Sequence, residues 1–156
     1  MSIVTPCLWF DKQGLEAAEL YTSVVKNSRV VHVMHDPREP GTVLLVTFEL
    51  DGRVFTALNG GPEFQHTPAI SLEIECADQD EVDRCWSTLS EGGEEGPCGW
   101  LTDRYGVSWQ IVPRRLKELL SDEAVSQPVM EAMLKMGKID IAGLEEAAAA
   151  AAPAAG

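Results

Sequence analysis

Long apolar runs are missing from this sequence of 156 residues. No segment approaches the roughly 20 consecutive apolar residues that a membrane-spanning helix requires. The first residues also lack the charged segment and apolar core of a secretory signal peptide. We therefore expect a cytoplasmic protein with no membrane partner.

Basic residues, cysteines and histidines are also few. The 12 Lys and Arg stand against 25 Asp and Glu, so the net charge of −13 argues against nucleic acid as a partner. The four cysteines and three histidines contain no C-x-x-C pair and no zinc-site spacing. A chain of this length folds without disulfides, so we expect reduced thiols.

The first part of the chain predicts one strand, a helix and three further strands, in the order 3–10, 12–26, 28–35, 42–50 and 53–59. Asp51-Gly52, between the last two strands, predicts a tight hairpin. The predicted buried stripe of the helix is Leu15, Ala18, Thr22 and Val25.

The second part repeats this order. A strand is predicted over 69–76, and Asp78 with Glu81 resembles the capping box of the helix that follows. The apolar stripe of that helix is Val82, Cys85, Trp86 and Leu89. Further strands are predicted over 95–102 and 107–112, with Asp103–Gly106 as the turn between them. The fold class is therefore α+β, with a duplicated module.

The C-terminal residues predict helices without a sheet pattern. We expect a single domain over 1–145, with modules at about 1–60 and 68–113 and a helical arm over 114–145. In the arm, Val129, Met133 and Met136 share a face, between Pro128 near the helix start and Gly137 past its end. An Ala-rich tail over 146–156 reads as a helix end that Pro153 stops.

Five segments together resemble the vicinal oxygen chelate superfamily, which includes glyoxalase I, extradiol dioxygenases and bleomycin-resistance proteins. The resemblance is closest to its PhnB-like branch, whose domains are labelled 3-demethylubiquinone-9 3-methyltransferase. It spans nearly the whole chain and rests on "TPCLWFDKQGLEAAELYTSVVKNSRV", "FTALNGGPEF", "SLEIECADQDEVDRCWSTLSEGG", "CGWLTDRYGVSWQIVP" and "VMEAMLKMGKIDIAGLEEA". It implies paired βαβββ modules that form a curved mixed sheet around a pocket, a small-molecule ligand and a homodimer.

The resemblance also implies four positions for metal ligands, which are His or Glu in the metal enzymes of the superfamily. In this chain those positions hold neutral side chains: Thr5, Asn59, Ser71 and Gln110. Hydroxyls and amides do not supply the charge that divalent cations draw from Asp, Glu or His. We therefore predict no metal cofactor at these positions, and a hydrogen-bonding floor for a small molecule instead.

Strand alternation extends the predicted ligand-binding set. It adds Trp9, Phe55 and Glu73 to the four positions above, and it places Trp109 on the opposite face from Gln110, under a helix. Glu73 is read either as a general base or as a carboxylate that is solvated or paired with Arg53. His66 is read either as an acid–base residue or metal ligand, or as a plain loop histidine.

Three functions stay open at this point. The first is a small-molecule binding protein, or an enzyme of unknown reaction, that uses the pocket without a metal. The second is a metal-dependent lyase, isomerase or dioxygenase with displaced ligands, for which the nearby candidates are His66, Glu63, Glu73 and Glu75. The third is the methyltransferase of the label, which the sequence disfavours because it lacks a glycine-rich strand–turn–helix for an adenosine cofactor.

Overall fold

A computed structural model describes residues 2–151 of the chain. By its contacts the chain divides into two compact units, Met1–Thr67 and Pro68–Gly156. Each unit contains one four-stranded mixed sheet. Over the described residues, no helix combines the length and the apolar character needed to cross a membrane. The α+β class and the duplicated order of elements are thus confirmed.

The first unit has the predicted order of one strand, a helix and three strands. Its elements are β1 (Cys7–Phe10), α1 (Gly14–Val24), β2 (Arg29–His35), β3 (Val43–Leu50) and β4 (Arg53–Asn59). The sheet order is β1-β4-β3-β2, in which only the β1–β4 pair is parallel. The predicted Asp51-Gly52 hairpin is confirmed, because both residues have positive φ, 47° and 76°.

Strand β1 is shorter than predicted, and Thr5 lies outside it. The pairing with β4 begins at Cys7, and residues 2–5 are exposed. Proline has no backbone N–H, so Pro6 is a natural limit for a strand that pairs with a neighbour.

The buried face of α1 is shifted by one residue from the predicted stripe. Its centre is Ala17, Ala18, Tyr21 and Val24, while Leu15, Thr22 and Val25 are only half-buried. Small residues let the helix approach the sheet closely: a Cβ on Gly14 would lie 3.3 Å from the Cβ of Ala57. The prediction from apolar spacing was wrong here because both candidate faces are apolar.

The second unit continues from its sheet into the C-terminal helices. Its elements are β5 (Ser71–Cys76), α2 (Gln79–Ser90), β6 (Glu94–Glu95), β7 (Trp100–Thr102), β8 (Ser108–Pro113), α3 (Arg114–Leu120), α4 (Ser126–Met133) and α5 (Ile141–Ala151). The sheet order is β5-β8-β7-β6, with β5 and β8 parallel. The predicted capping box of α2 is confirmed: the Glu81 amide donates to Asp78 Oδ1 (2.9 Å), and the Ala77 amide donates to Glu81 Oε2 (2.7 Å).

The C-terminal helices pack within this second unit. Their apolar core consists of Val112 from β8 together with Leu116, Leu119, Val125, Val129, Ile139 and Leu144. Pro128 lies near the start of α4, as predicted, but the helix ends at Met133 and so does not reach the predicted end before Gly137. Helix α5 includes most of the predicted Ala-rich tail, and Pro153 lies outside the described residues.

Candidate functional site

Asp103 organises the hairpin between β7 and β8. This residue is 2% exposed, and its carboxylate accepts hydrogen bonds from the amides of Tyr105 (2.8 Å) and Val107 (3.1 Å) and from the Trp109 indole Nε1 (2.8 Å). Trp109 is 1% exposed and lies on the face of the sheet that α2 covers. Because side chains alternate along a strand, Gln110 points to the other face, as the sequence predicted.

The second open face is our name for the side of the β5-β8-β7-β6 sheet that points away from α2. Strand register arranges its side chains in two rows: Ser71, Ser108, Thr102 and Glu94, then Glu73, Gln110 and Trp100. Gln110 Nε2 donates to Ser71 Oγ across the strands, at 2.9 Å. Three residues of the predicted ligand-binding set, Ser71, Glu73 and Gln110, are thus brought together in the second unit.

Helix α3 pairs its basic side chains with the acids of the second open face. Lys117 Nζ forms ion pairs with Glu73 and with Glu75 (3.2 Å), and Arg114 Nε donates to Glu75 at 3.1 Å. Sequence reasoning missed Lys117; for Glu73 it left open a general base, a solvated carboxylate or a pair with Arg53. The sequence feature that could have pointed to Lys117 is the basic segment "RRLK", which follows β8 directly.

These ion pairs shift the pKa of Glu75 and the pKa of Lys117. Hydrogen bonds from Arg114 and then Lys117 hold the pKa of Glu75 below its ordinary value of 4.5. Hydrogen bonds to Glu73 and Glu75 raise the pKa of Lys117. Glu75 and Lys117 are therefore both charged at neutral pH.

We expect Glu75→Gln to destabilise the protein at neutral pH and to have less effect in acid. A carboxylate whose pKa is lowered by folding contributes stability above its unfolded pKa, and that contribution is lost as the pH falls through the folded pKa. Urea denaturation at about pH 7 and about pH 3 should show the gap between variant and wild type closing. The control is Glu123→Gln, at an exposed glutamate. A gap that is equal at both pH values would contradict the assignment.

A cleft of about 380 Å³ lies against the first row of the second open face. We call it the edge cleft, since it includes the edge strand β6. Its lining residues are Pro68, Glu94, Glu95, Gly96, Pro97, Trp100, Leu101, Thr102 and Ser108. Sequence reasoning did not predict this cleft.

In the first unit, the predicted orientation of β4 is wrong. Phe55 is 6% exposed and stacks on Phe48, with ring centroids 5.5 Å apart. Asn59 Oδ1 accepts from the Gly14 amide at the start of α1 (2.8 Å), and its Nδ2 donates to the Val43 carbonyl (3.0 Å). Phe55 and Asn59 therefore lie on the face that α1 covers.

Trp9 lies, as predicted, on the face of the first sheet that points away from α1. Its neighbours in β1, Leu8 and Phe10, are buried, and side chains alternate between the two faces along a strand. The Trp9 indole Nε1 donates to the Gly61 carbonyl at 2.9 Å, and its ring meets Phe64 edge-on at 4.9 Å. His66 Nε2 lies 2.7 Å from the Trp9 carbonyl oxygen, a distance at which the ring nitrogen donates. His66 thus fastens its loop to β1.

The donors at the four implied ligand positions do not fit a divalent metal centre. Among residues 2–151, no group of three or more His, Cys, Asp and Glu side chains is placed to hold a metal ion. Asn59 is engaged with α1, Gln110 with Ser71, and Thr5 is exposed outside its strand. Neutral oxygens of this kind lack the charge that such a centre requires. We therefore derive no chemical step through a metal.

Comparison with known proteins agrees with this architecture. The PhnB protein from Bacillus cereus is 31% identical, with a TM-score of 0.65 over 72% of this chain and 99% of its own. Protein PA1353 from Pseudomonas aeruginosa is 19% identical, with a TM-score of 0.61 over 72% and 98%. FosX from Listeria monocytogenes, solved with Mn(II) and 1S,2S-dihydroxypropylphosphonic acid, is 13% identical, with a TM-score of 0.54 over 71% and 90%, and shares the fold alone.

These likenesses define a PhnB-like protein of the vicinal oxygen chelate fold. The family model described as 3-demethylubiquinone-9 3-methyltransferase matches residues 2–112, and the chain belongs to that family. A search of curated proteins found no match. The matched region ends within β8, so Lys117 and the C-terminal helices lie beyond it.

Proposed function

We propose that this protein binds a small molecule on the second open face, by hydrogen bonds and without a metal. The observation that carries the proposal is the bond between Gln110 and Ser71, at two positions where the resemblance implies metal ligands. Both side chains are half-buried, so a bound molecule would complete their hydrogen bonding away from bulk water.

The Gln110–Ser71 pair offers complementary groups to a ligand. Because Gln110 Nε2 donates to Ser71 Oγ, the Ser71 hydroxyl hydrogen stays available as a donor and Gln110 Oε1 as an acceptor. Trp100 is the register partner of Gln110 and adds an aromatic surface on the same face. Such a mixture of a few fixed polar groups with aromatic surface is typical of small-molecule sites.

Glu73 and Lys117 suit ligand orientation better than acid–base chemistry. Lys117 offsets the charge that a general base at Glu73 would use, and it also pairs with Glu75. We therefore assign no catalytic residue, and any reaction on this face stays open. His66 is held by its bond to the Trp9 carbonyl and is not part of the proposed site.

Methyl transfer, which the family description names, is not part of the proposal. The loop that contains Gly60-Gly61 leads into β5 and not into a helix, so it lacks the helix N-terminus that binds a cofactor phosphate or adenosine group. The homodimer and the cytoplasmic location implied at the sequence level are retained as proposals.

Three small molecules test the proposal: 2-phenylethylammonium, 2-phenylethanol and 3-phenylpropanoate. Each of these probes has a phenyl ring on a short chain of similar length, and they differ in the polar group at its end. We expect at least one of them to bind, and Gln110→Ala to weaken that binding about three- to tenfold, the effect of one or two hydrogen bonds. NMR titration of ¹⁵N-labelled protein gives the Kd, and urea denaturation gives the free energy of unfolding.

Gln127→Ala is the matched control, because Gln127 is exposed on α4 and, among the residues described, its side chain bonds only its helix neighbour Glu131. Chelator should leave the Kd unchanged, and Mn²⁺ should give no saturable rise in melting temperature. A rise with Mn²⁺ would favour the metal enzyme. Loss of stability equal to the loss of binding in Gln110→Ala would remove Gln110 from the site.

A further inference from the structure

The edge cleft presents charge of only one sign. Its lining residues include two glutamates and no Lys or Arg. Glu95 is engaged, because its Oε1 accepts from the Trp86 indole at 3.0 Å. Glu94 lies on the second open face, opposite Thr102 in the strand register. Its side chain forms no ion pair or hydrogen bond with any residue of the described part of the chain. Its carboxylate is therefore available to a ligand, and it disfavours an anion in the cleft.

A hydroxyl group is also available there. Ser108 is only 2% exposed and lines the cleft, and its side chain forms no hydrogen bond with the residues described, 2–151. No fully enclosed side-chain oxygen or nitrogen among residues 2–151 lacks a partner, so the Ser108 hydroxyl is accessible from the cleft and offers a donor and an acceptor to a molecule there. This observation is independent of the acidic charge.

The remaining walls are apolar. The cleft is lined by Pro68, Pro97 and the Trp100 indole. Its volume of about 380 Å³ is at the small end of the range for ligand pockets. An aromatic ring beside a free carboxylate attracts an ammonium group both through its π-face and through the opposite charge. The apolar prolines complement the hydrocarbon body of such a molecule.

We propose that the edge cleft binds the protonated amine of a compact organic cation. The ammonium group would lie between Glu94 and the Trp100 ring, with a polar atom of the ligand bonded to Ser108. This inference rests on the proposed function, because Trp100 and Gln110 are neighbours on the second open face. It adds that the ligand is positively charged, and that the edge cleft holds it in addition to the Gln110–Ser71 pair.

The three probes distinguish the two proposals, because they differ mainly in charge. We expect 2-phenylethylammonium to bind about fivefold more tightly than 2-phenylethanol, and 3-phenylpropanoate to bind most weakly. Backbone amides of 94–96, of 98–102 and of Ser108 should shift in the NMR titration. Glu94→Gln should weaken binding of the cation about fivefold and leave binding of the alcohol unchanged.

Ser108→Ala should weaken binding of both the cation and the alcohol, and Glu123→Gln, at an exposed glutamate outside the cleft, should change neither. If the alcohol or the propanoate binds best and Gln110→Ala weakens it, the proposed function stands and the cation inference is overturned. Binding of the cation that is unaffected by Glu94→Gln also overturns the inference. If no probe binds, both proposals fall.

Discussion

Asp103→Ala is expected to lower the free energy of unfolding by about 3–5 kcal/mol. The change removes a buried carboxylate that accepts from two backbone amides and from the Trp109 indole. The buried donors of Val107 and Trp109 and the half-buried amide of Tyr105 lose their acceptor, and buried donors without acceptors are costly. Urea denaturation measures the loss directly, and the melting temperature should fall by roughly 6–20 °C for a chain of this size.

Asp122→Ala is the matched control, because Asp122 is exposed and, within the described part of the chain, its Oδ1 accepts only from the Ala124 amide, at 3.0 Å. We expect this variant to lose less than about 1 kcal/mol. Asp103→Asn keeps one acceptor oxygen but turns an NH₂ group toward either the indole or the amides, so its effect should be intermediate. If Asp103→Ala and Asp122→Ala cost the same, Asp103 does not organise the hairpin.

Gly93→Ala is expected to destabilise the protein by about 2–3 kcal/mol, through overpacking against backbone. A Cβ at this position would overlap the Thr102 carbonyl oxygen and lie 2.8 Å from the carbonyl carbon of Asp103. Backbone atoms cannot rotate away as a side chain does, so β6 must move away from β7. Because Glu94 follows directly, we also expect weaker binding of 2-phenylethylammonium.

Gly137→Ala provides the comparison for this substitution. Its added Cβ would lie 3.6 Å from the Gly96 carbonyl oxygen, an ordinary contact, so stability should change by less than about 1 kcal/mol. The two variants are compared by denaturation and by NMR titration with the cation. A Gly93→Ala protein as stable as Gly137→Ala would show that β6 and β7 are not packed as closely as described.

The features that could be predicted from sequence are those that depend on neighbours in the chain. The capping box of Asp78 and Glu81 and the Asp51-Gly52 hairpin were predicted correctly, because each is decided within a few residues. The opposite orientation of Trp109 and Gln110 was predictable for the same reason, since adjacent strand residues always face opposite sides.

Prediction failed where two faces of one element are equally apolar. Strand β4, "RVFTALN", carries apolar side chains on both faces, so alternation could not tell which of them packs under α1. The Phe48–Phe55 stack and the close approach of Gly14 decide it. For the same reason Asn59, placed in the ligand set by resemblance, proves to bond the start of a helix.

By itself, then, the sequence determined the class of fold, the duplicated order of elements and the neutral chemistry of Ser71 and Gln110. Only the tertiary structure decided which side chains meet across distant parts of the chain. It joined Ser71 to Gln110 and Glu73 to Lys117, and it closed Pro68, Glu94 and Ser108 around one cleft. Such contacts depend on strand register and on the docking of helices against sheets, and local spacing in a single sequence carries no record of either.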